Sequence, residues 1–169
     1  MDQPDILYKM DAGIFSFRVA GILIRGSNVL LQRASDDLAY AFPGGHVNFG
    51  ETSENAVVRE FKEETTADII PLRLLWVGEN FFPWGGRDCH QICFYYLVAL
   101  RDETQLPSDR SFLGMDEIDQ KRIPLEFSWV DISTLDSIPL YPMHASEKLM
   151  NLSEHIEWFV FIENPTKGS

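Results

Sequence analysis

Three glutamates, Glu60, Glu63 and Glu64, stand at i, i+3 and i+4. On a helix those positions share one face, with neighbouring β-carbons about 5–6 Å apart. Three like charges there weaken a helix unless something positive lies among them. Arg59 reaches Glu63 at i+4 but does not balance three carboxylates, and Lys62 points elsewhere. A hard divalent cation would balance them. Mg²⁺ is held by a few carboxylates together with the phosphates of a substrate. A solvated acidic helix face is the other reading of the same three residues.

A helix is what these glutamates require, and the surrounding residues predict one. Residues 52–65 place Ala56, Val57, Glu60, Phe61 and Glu64 at helical spacing, with Thr52 or Ser53 available as the N-cap. Upstream, residues 14–24 and 29–32 read as two β-strands joined at a turn over 25–28. Pro43-Gly44-Gly45 then breaks the chain before the helix. Downstream, strand patterns occupy 72–77, 91–100 and 125–130, and a second helix is expected over 143–152 behind Pro142. Residues 156–162 fit a last strand or a continued helix. Residues 102–124 read as a long loop, the kind of segment that serves as a lid. These elements predict a mixed α/β or α+β fold in one domain spanning 1–169.

The spacing around the glutamates is more specific. After Gly45 come five residues, Glu51, seven residues, Arg59-Glu60, Phe61, Lys62 and Glu63-Glu64. This pattern resembles the box of the Nudix hydrolase family, of the MutT-like kind, over residues 45–67. Residues 30–33 and 41–45 before it resemble that family's approach to the box, and residues 127–131 resemble a late family strand. Two box positions depart: Thr66 replaces the glycine that ends the helix, and the small Ala67 fills the last apolar position. Asn48 stands at a variable position where many relatives carry Glu.

The resemblance implies an α/β/α sandwich with a mixed sheet between helices. It implies Mg²⁺-dependent hydrolysis of a phosphoanhydride bond in a nucleoside diphosphate derivative, with Mn²⁺ as a substitute metal. Glu60, Glu63, Glu64 and the Gly45 carbonyl would hold the metal, and Arg59 would fix the carboxylates from behind. Glu51 would anchor the loop or add a contact. The base would be Glu63 or a glutamate on a later segment, where Glu117 and Glu126 are the candidates. Pro83, sixteen residues after Ala67, is a marker of ADP-ribose hydrolysis among relatives. ADP-ribose or a nucleotide sugar therefore leads. Nucleoside triphosphate pyrophosphatase activity and a non-catalytic nucleotide-sensing module are the alternatives, and the intact set of box glutamates weighs against the module.

Substrate contacts are expected from Phe82 and Trp84, which lie in a flexible, aromatic, glycine-bearing loop over 81–86 that could stack on a base. Arg33 could meet a phosphate, as could Arg18 and His46, although each also fits an ordinary surface position. Cys89 and Cys93 alternate with His90 along a strand, so the thiols share one face and the imidazole takes the other. Two buried free thiols follow, since no second pair completes a zinc site.

Composition bounds the rest. The chain has 169 residues, 45% hydrophobic and 24% charged, with a net charge of −12. That excludes a disordered chain and a disulfide scaffold. The acidic balance repels phosphate backbones, so a small nucleotide rather than a nucleic-acid strand is the expected partner. No apolar run reaches the roughly 18 residues of a membrane span, and no leader pattern precedes the first strand. A cytoplasmic location without a membrane partner is the expectation, with a homodimer left open.

Overall fold

The computed structural model describes residues 3–35, 37–118, 121–142 and 145–163. In chain order the strands and helices are β1 (Leu7–Met10), β2 (Gly13–Arg25), β3 (Asn28–Ala34), β4 (Tyr40–Ala41), α1 (Ser53–Thr65), β5 (Ile69–Trp84), β6 (Arg87–Leu100), β7 (Phe112–Ile118), β8 (Lys121–Asp131), β9 (Leu140–Tyr141), α2 (Ala145–Met150) and β10 (Glu157–Ile162). The strands make a mixed sheet. Its main path runs β10, β5, β6, β2, β3, β4, β9, with β1 added to β2 and the β7–β8 hairpin added to β3. β2 pairs with β6, and β10 with β5, in parallel; β5–β6, β2–β3 and β3–β8 are antiparallel.

Strand alternation sorts the apolar side chains into two cores, one on each face. Val19, Leu23, Leu30, Tyr96 and Phe127 turn toward α1 and meet Val57 and Phe61. Ala20, Ile22, Val29, Leu31 and Tyr95 turn the other way and meet Ala145 and Leu149 of α2. The sandwich arrangement of a mixed sheet between helices is thus realised. α1 comes close to the sheet because its neighbours are small: a β-carbon on Gly21 would lie 2.3 Å from the Phe61 ring, and one on Gly114 would lie 2.2 Å from the Glu64 carbonyl oxygen.

Three expectations from sequence need correction. Residues 102–124 are not a long loop: they hold a short 3-10 turn over Glu103–Gln105, then β7 and the start of β8. Polar residues and Gly114 suggest a loop, but cross-strand pairing to β8 along the whole of β7 holds the segment as a strand. The aromatic segment over 81–86 is likewise no loop. Phe81 through Trp84 continue β5, and the positive φ of Gly85 and Gly86 closes a tight hairpin into β6. The second helix is shorter than 143–152. It spans Ala145–Met150, with residues 143 and 144 outside the described set. Residues 157–162 resolve as a strand, β10.

Candidate active site

α1 begins where the sequence places it. The Thr52 hydroxyl oxygen accepts from the Asn55 N–H at 3.2 Å, which caps the helix. It ends on Thr66, whose backbone is left-handed at φ 64° and whose N–H donates to the Lys62 carbonyl at 3.0 Å. The helix therefore closes in the geometry a glycine normally supplies.

Arg59 organises the acidic face. Its guanidinium donates to both Glu51 oxygens at 3.0 and 2.9 Å, to Glu60 at 2.8 Å, to Glu63 at 3.1 Å and to the His46 carbonyl at 2.9 Å. One side chain thus ties the loop before α1 to the helix. Burial raises the Glu51 pKa, but the Arg59 hydrogen bonds and the Asn48 N–H outweigh it and hold the carboxyl below its ordinary value. Glu60 is different: burial lifts its pKa to about 7 against the pull of Arg59. Its carboxylate fills the space beside Gly45, where a β-carbon would sit 2.2 Å from Oε2. The Gly45 carbonyl accepts from the Val19 N–H at 2.9 Å, leaving a second lone pair.

Glu64 lies beyond the reach of Arg59. It is 2% exposed, and neither carboxylate oxygen makes a hydrogen bond of normal geometry, although the Gln32 side chain lies near enough to hold its pKa down. Burial, then the charges of Glu60 and Asp116, push its pKa well up, with Arg18 and Gln32 opposing. A buried carboxylate without a well-formed hydrogen bond is unfavourable, so its presence asks for a ligand. The three glutamates do not point alike: Glu60 and Glu64 are buried, while the Glu63 side chain is 58% exposed. Among the described residues no group of three acidic, His or Cys side chains stands ready-made around one metal position. Arg59 holds Glu60 and Glu63 instead.

One cleft lies on this helix face and a second adjoins that cleft. One, of about 830 Å³, is lined by Gly45, Glu51, Arg59, Glu60 and Glu63. The other, of about 530 Å³, is more aromatic, with Phe82, Trp84, Tyr141 and Phe161 in its wall, and Pro83 beside them. Arg18, His46, Trp84 and Asp116 line both. Arg18 Nη2 donates to the Gly44 carbonyl at 2.7 Å. His46 and Trp84 stack, with centroids 6.1 Å apart and planes 15° from parallel. Burial first, then Arg18, Lys9 and Arg59, lower the His46 pKa to about 3, so its imidazole is neutral. Unpartnered buried atoms gather around this aromatic cleft: Gln32 Oε1, His46 Nε2 and Asn80 Oδ1.

The remaining candidates lie apart. Arg33 rims the aromatic cleft, but its guanidinium donates to Glu126 at 2.8 Å and rests 4.8 Å from the Tyr40 ring centroid. Alternation along β8 turns Leu125 toward α1 and Glu126 to the opposite face with Arg33. Glu117 sits on β7 opposite Arg122, and its side chain lies outside the described set. Asp116, one residue earlier, was not singled out by any motif, because only the β7–β8 pairing carries it to the cleft. Cys89 and Cys93 are buried free thiols.

A family model, the NUDIX domain, matches residues 16–147. The chain belongs to the Nudix family. This Nudix chain is 46% identical over 50 residues to an ADP-ribose pyrophosphatase of Methanocaldococcus jannaschii, a match covering 28% of the chain and 30% of that protein. Matches to curated relatives span about a third of those proteins' length. Among solved structures, the mutator MutT protein from Bacillus halodurans superposes with a TM-score of 0.58 at 16% identity, covering 89% of this chain and 91% of that one. An ADP-ribose pyrophosphatase from Streptococcus suis gives a TM-score of 0.52 at 18% identity, covering 88% and 98%. At such identities the structures share the Nudix fold. Among the described residues no helix is long and apolar enough to cross a membrane.

Proposed function

We propose that this chain is a Mg²⁺-dependent pyrophosphohydrolase that cleaves the phosphoanhydride bond of a nucleoside diphosphate derivative of the ADP-ribose or nucleotide-sugar type. One observation carries the reading: the acidic cleft on α1 opens directly into an aromatic cleft through Arg18, His46, Trp84 and Asp116. A diphosphate with a group on each end has that shape, with charge at the middle and a flat ring beyond it. The ADP-ribose pyrophosphatase named among the relatives supports the same substrate class.

The donor set fits a hard cation. Every side-chain ligand on the α1 face is a carboxylate oxygen, and the buried oxygens of Glu64, which make no hydrogen bond of normal geometry, offer two of them. Glu60, Glu63, Glu64 and the Gly45 carbonyl would hold Mg²⁺, or Mn²⁺ in its place. When bound, the ion neutralises phosphate charge and lowers the pKa of a coordinated water. Arg59 keeps Glu60 and Glu63 beside the ion and releases neither into solvent, because Glu51 and the His46 carbonyl anchor it from behind. Arg18 faces the phosphates. Glu63, the exposed member of the set, accepts the proton from water, with Glu117 the second candidate; Glu126 is already committed to Arg33. Asp116 adds a carboxylate opposite the helix. Trp84 and Phe82 hold the base, and Arg33 stands at the cleft rim.

A nucleotide panel with and without Mg²⁺, read by mass in ¹⁸O-labelled water, tests this. Cleavage of ADP-ribose or a nucleotide sugar to a nucleoside monophosphate and a sugar phosphate, only with metal, is the expected result. Preference for nucleoside triphosphates would replace the substrate class, and tight binding without turnover would replace the enzyme with a sensing module.

A further inference from the structure

The floor of the aromatic cleft holds two buried amides. Strand register aligns Ser16, Gln91, Asn80 and Phe161 as successive Cα partners across β2, β6, β5 and β10. Asn80, Gln91 and Phe161 line the cleft, and the wall around the amides is largely aromatic, with Phe82 and Tyr95. Asn80 is 5% exposed and Gln91 8%. Pairing of β5 with β6 brings the two amides together, and Asn80 Nδ2 donates to Gln91 Oε1 at 3.3 Å. That bond engages one end of each amide. Asn80 Oδ1 is left buried with no partner.

A buried amide oxygen without a hydrogen bond is unfavourable, and an apolar pair of similar size at the same two positions would avoid the cost. Packing alone therefore does not account for the amides, whereas a ligand group that donates to Oδ1 does. The pair has a defined polarity. Asn80 Oδ1 accepts, and the Gln91 amide nitrogen, which the bond to Asn80 does not use, donates. The terminal torsions of Asn and Gln are soft, so both amides can turn onto a ring edge without movement of the backbone.

Adenine carries the complementary groups side by side, an exocyclic amine that donates and a ring nitrogen that accepts. Guanine and hypoxanthine carry a carbonyl oxygen in place of that amine, which would set lone pairs against Asn80 Oδ1. Resting on the reading of this cleft as the base site, we propose that Asn80, held by Gln91, selects adenine: Oδ1 accepts from the exocyclic amine while the Gln91 amide nitrogen donates to the adjacent ring nitrogen. Trp84 and Phe82 supply stacking, which every base shares, and the amides supply the choice between bases. A site built to hydrogen-bond one group rejects the analogue that lacks it, because its own buried polar atoms then stay unpaired. An amide pair that only ties β5 to β6 would be indifferent to the base.

Titration of the full chain with adenosine monophosphate and with inosine monophosphate in Mg²⁺ tests this without turnover, because neither ligand has a phosphoanhydride bond. The adenine nucleotide is expected to bind at least ~10-fold tighter. Asn80→Leu, close in size, should weaken it by a similar factor and bring the ratio of the two affinities toward one. Gln91→Leu, which frees the Asn80 amide to turn either end to the base, should lower the same ratio and replaces the first variant if that one fails to fold. Equal affinities in the unaltered chain, or tighter binding of inosine monophosphate, overturn the proposal. So does an adenine preference that the variants retain, because the base is then read elsewhere. Hydrolysis of ADP-ribose, assayed in parallel, separates this failure from that of the enzyme reading. A chain that cleaves ADP-ribose without choosing between the two nucleotides keeps the enzyme and loses the role of Asn80; a chain that neither binds a nucleotide nor cleaves ADP-ribose loses both.

Discussion

Glu64 and Trp84 carry the sharpest expectations for single residues. Glu64 holds its carboxylate in a buried position with no hydrogen bond of normal geometry. Glu64→Gln removes that charge at almost constant size, so the metal-free protein should melt higher. The same change removes a ligand that the proposed chemistry needs, and turnover at saturating Mg²⁺ should fall at least ~10²-fold. Measuring both on one preparation is decisive: a variant that turns over normally would take Glu64 out of the metal site. Trp84 has one face against His46, leaving the other for a base. Stacking contributes ~1–3 kcal/mol, so Trp84→Ala should raise KM for a nucleotide by roughly 5- to 150-fold with kcat nearly unchanged. Equal changes in KM for a nucleotide and for a base-free diphosphate sugar would show that Trp84 only supports the hairpin.

At the scale of the element, α1 is closed by a residue ill suited to its conformation. Thr66 is β-branched and left-handed at φ 64°. A left-handed L-residue costs roughly 1–2 kcal/mol, and glycine escapes that cost while losing more chain entropy on folding. Thr66→Gly should therefore stabilise by up to about 1 kcal/mol, with turnover retained, and thermal melts of the two proteins give the sign. A lower melting temperature for the glycine variant would mean that the Thr66 side chain contributes packing that outweighs its strain. The hairpin of β5 and β6 works the other way, because Gly85 and Gly86 suit their positive φ and so hold Trp84 at a fixed tip rather than on a mobile loop.

Across the whole molecule, the acidic face couples stability to pH and metal. Glu60 titrates near 4.5 when unfolded and at about 7 when folded without metal. The raised value means that folding favours the protonated form. This contribution is fully present below pH 4.5 and is lost as pH rises through about 7. Glu64 shifts in the same direction. Metal binding needs both groups ionised, so Mg²⁺ should bind more tightly as pH rises and should restore the stability lost. Melting curves from pH 5 to 8 in chelator and in Mg²⁺ should therefore diverge toward alkaline pH. Parallel curves would separate these carboxylates from the metal.

The sequence by itself determined the α1 helix, a cap at Thr52 or Ser53, the glutamate spacing and most strands, because each shows in patterns a few residues long. Periodicity and capping are local, and so is the box that joins Gly45, Glu51, Arg59 and the glutamates. Tertiary structure decided what local pattern does not encode. Glu60 and Glu64 became buried and Glu63 stayed exposed because Gly21 and Gly114 let α1 settle against the sheet. Arg18, His46, Trp84 and Asp116 come from four separate segments and meet only after β2, β5 and β7 take their places in the sheet. Residues 112–118 read as loop because their own composition is weak for a strand; pairing with β8 supplied the hydrogen bonds that composition could not promise. Rows of side chains across the sheet likewise exist only through register, which pairs Phe15 with His90 and Phe81 with Ile162 across strands distant in the sequence. Non-local hydrogen bonding aligned those side chains, and no window of sequence contains it.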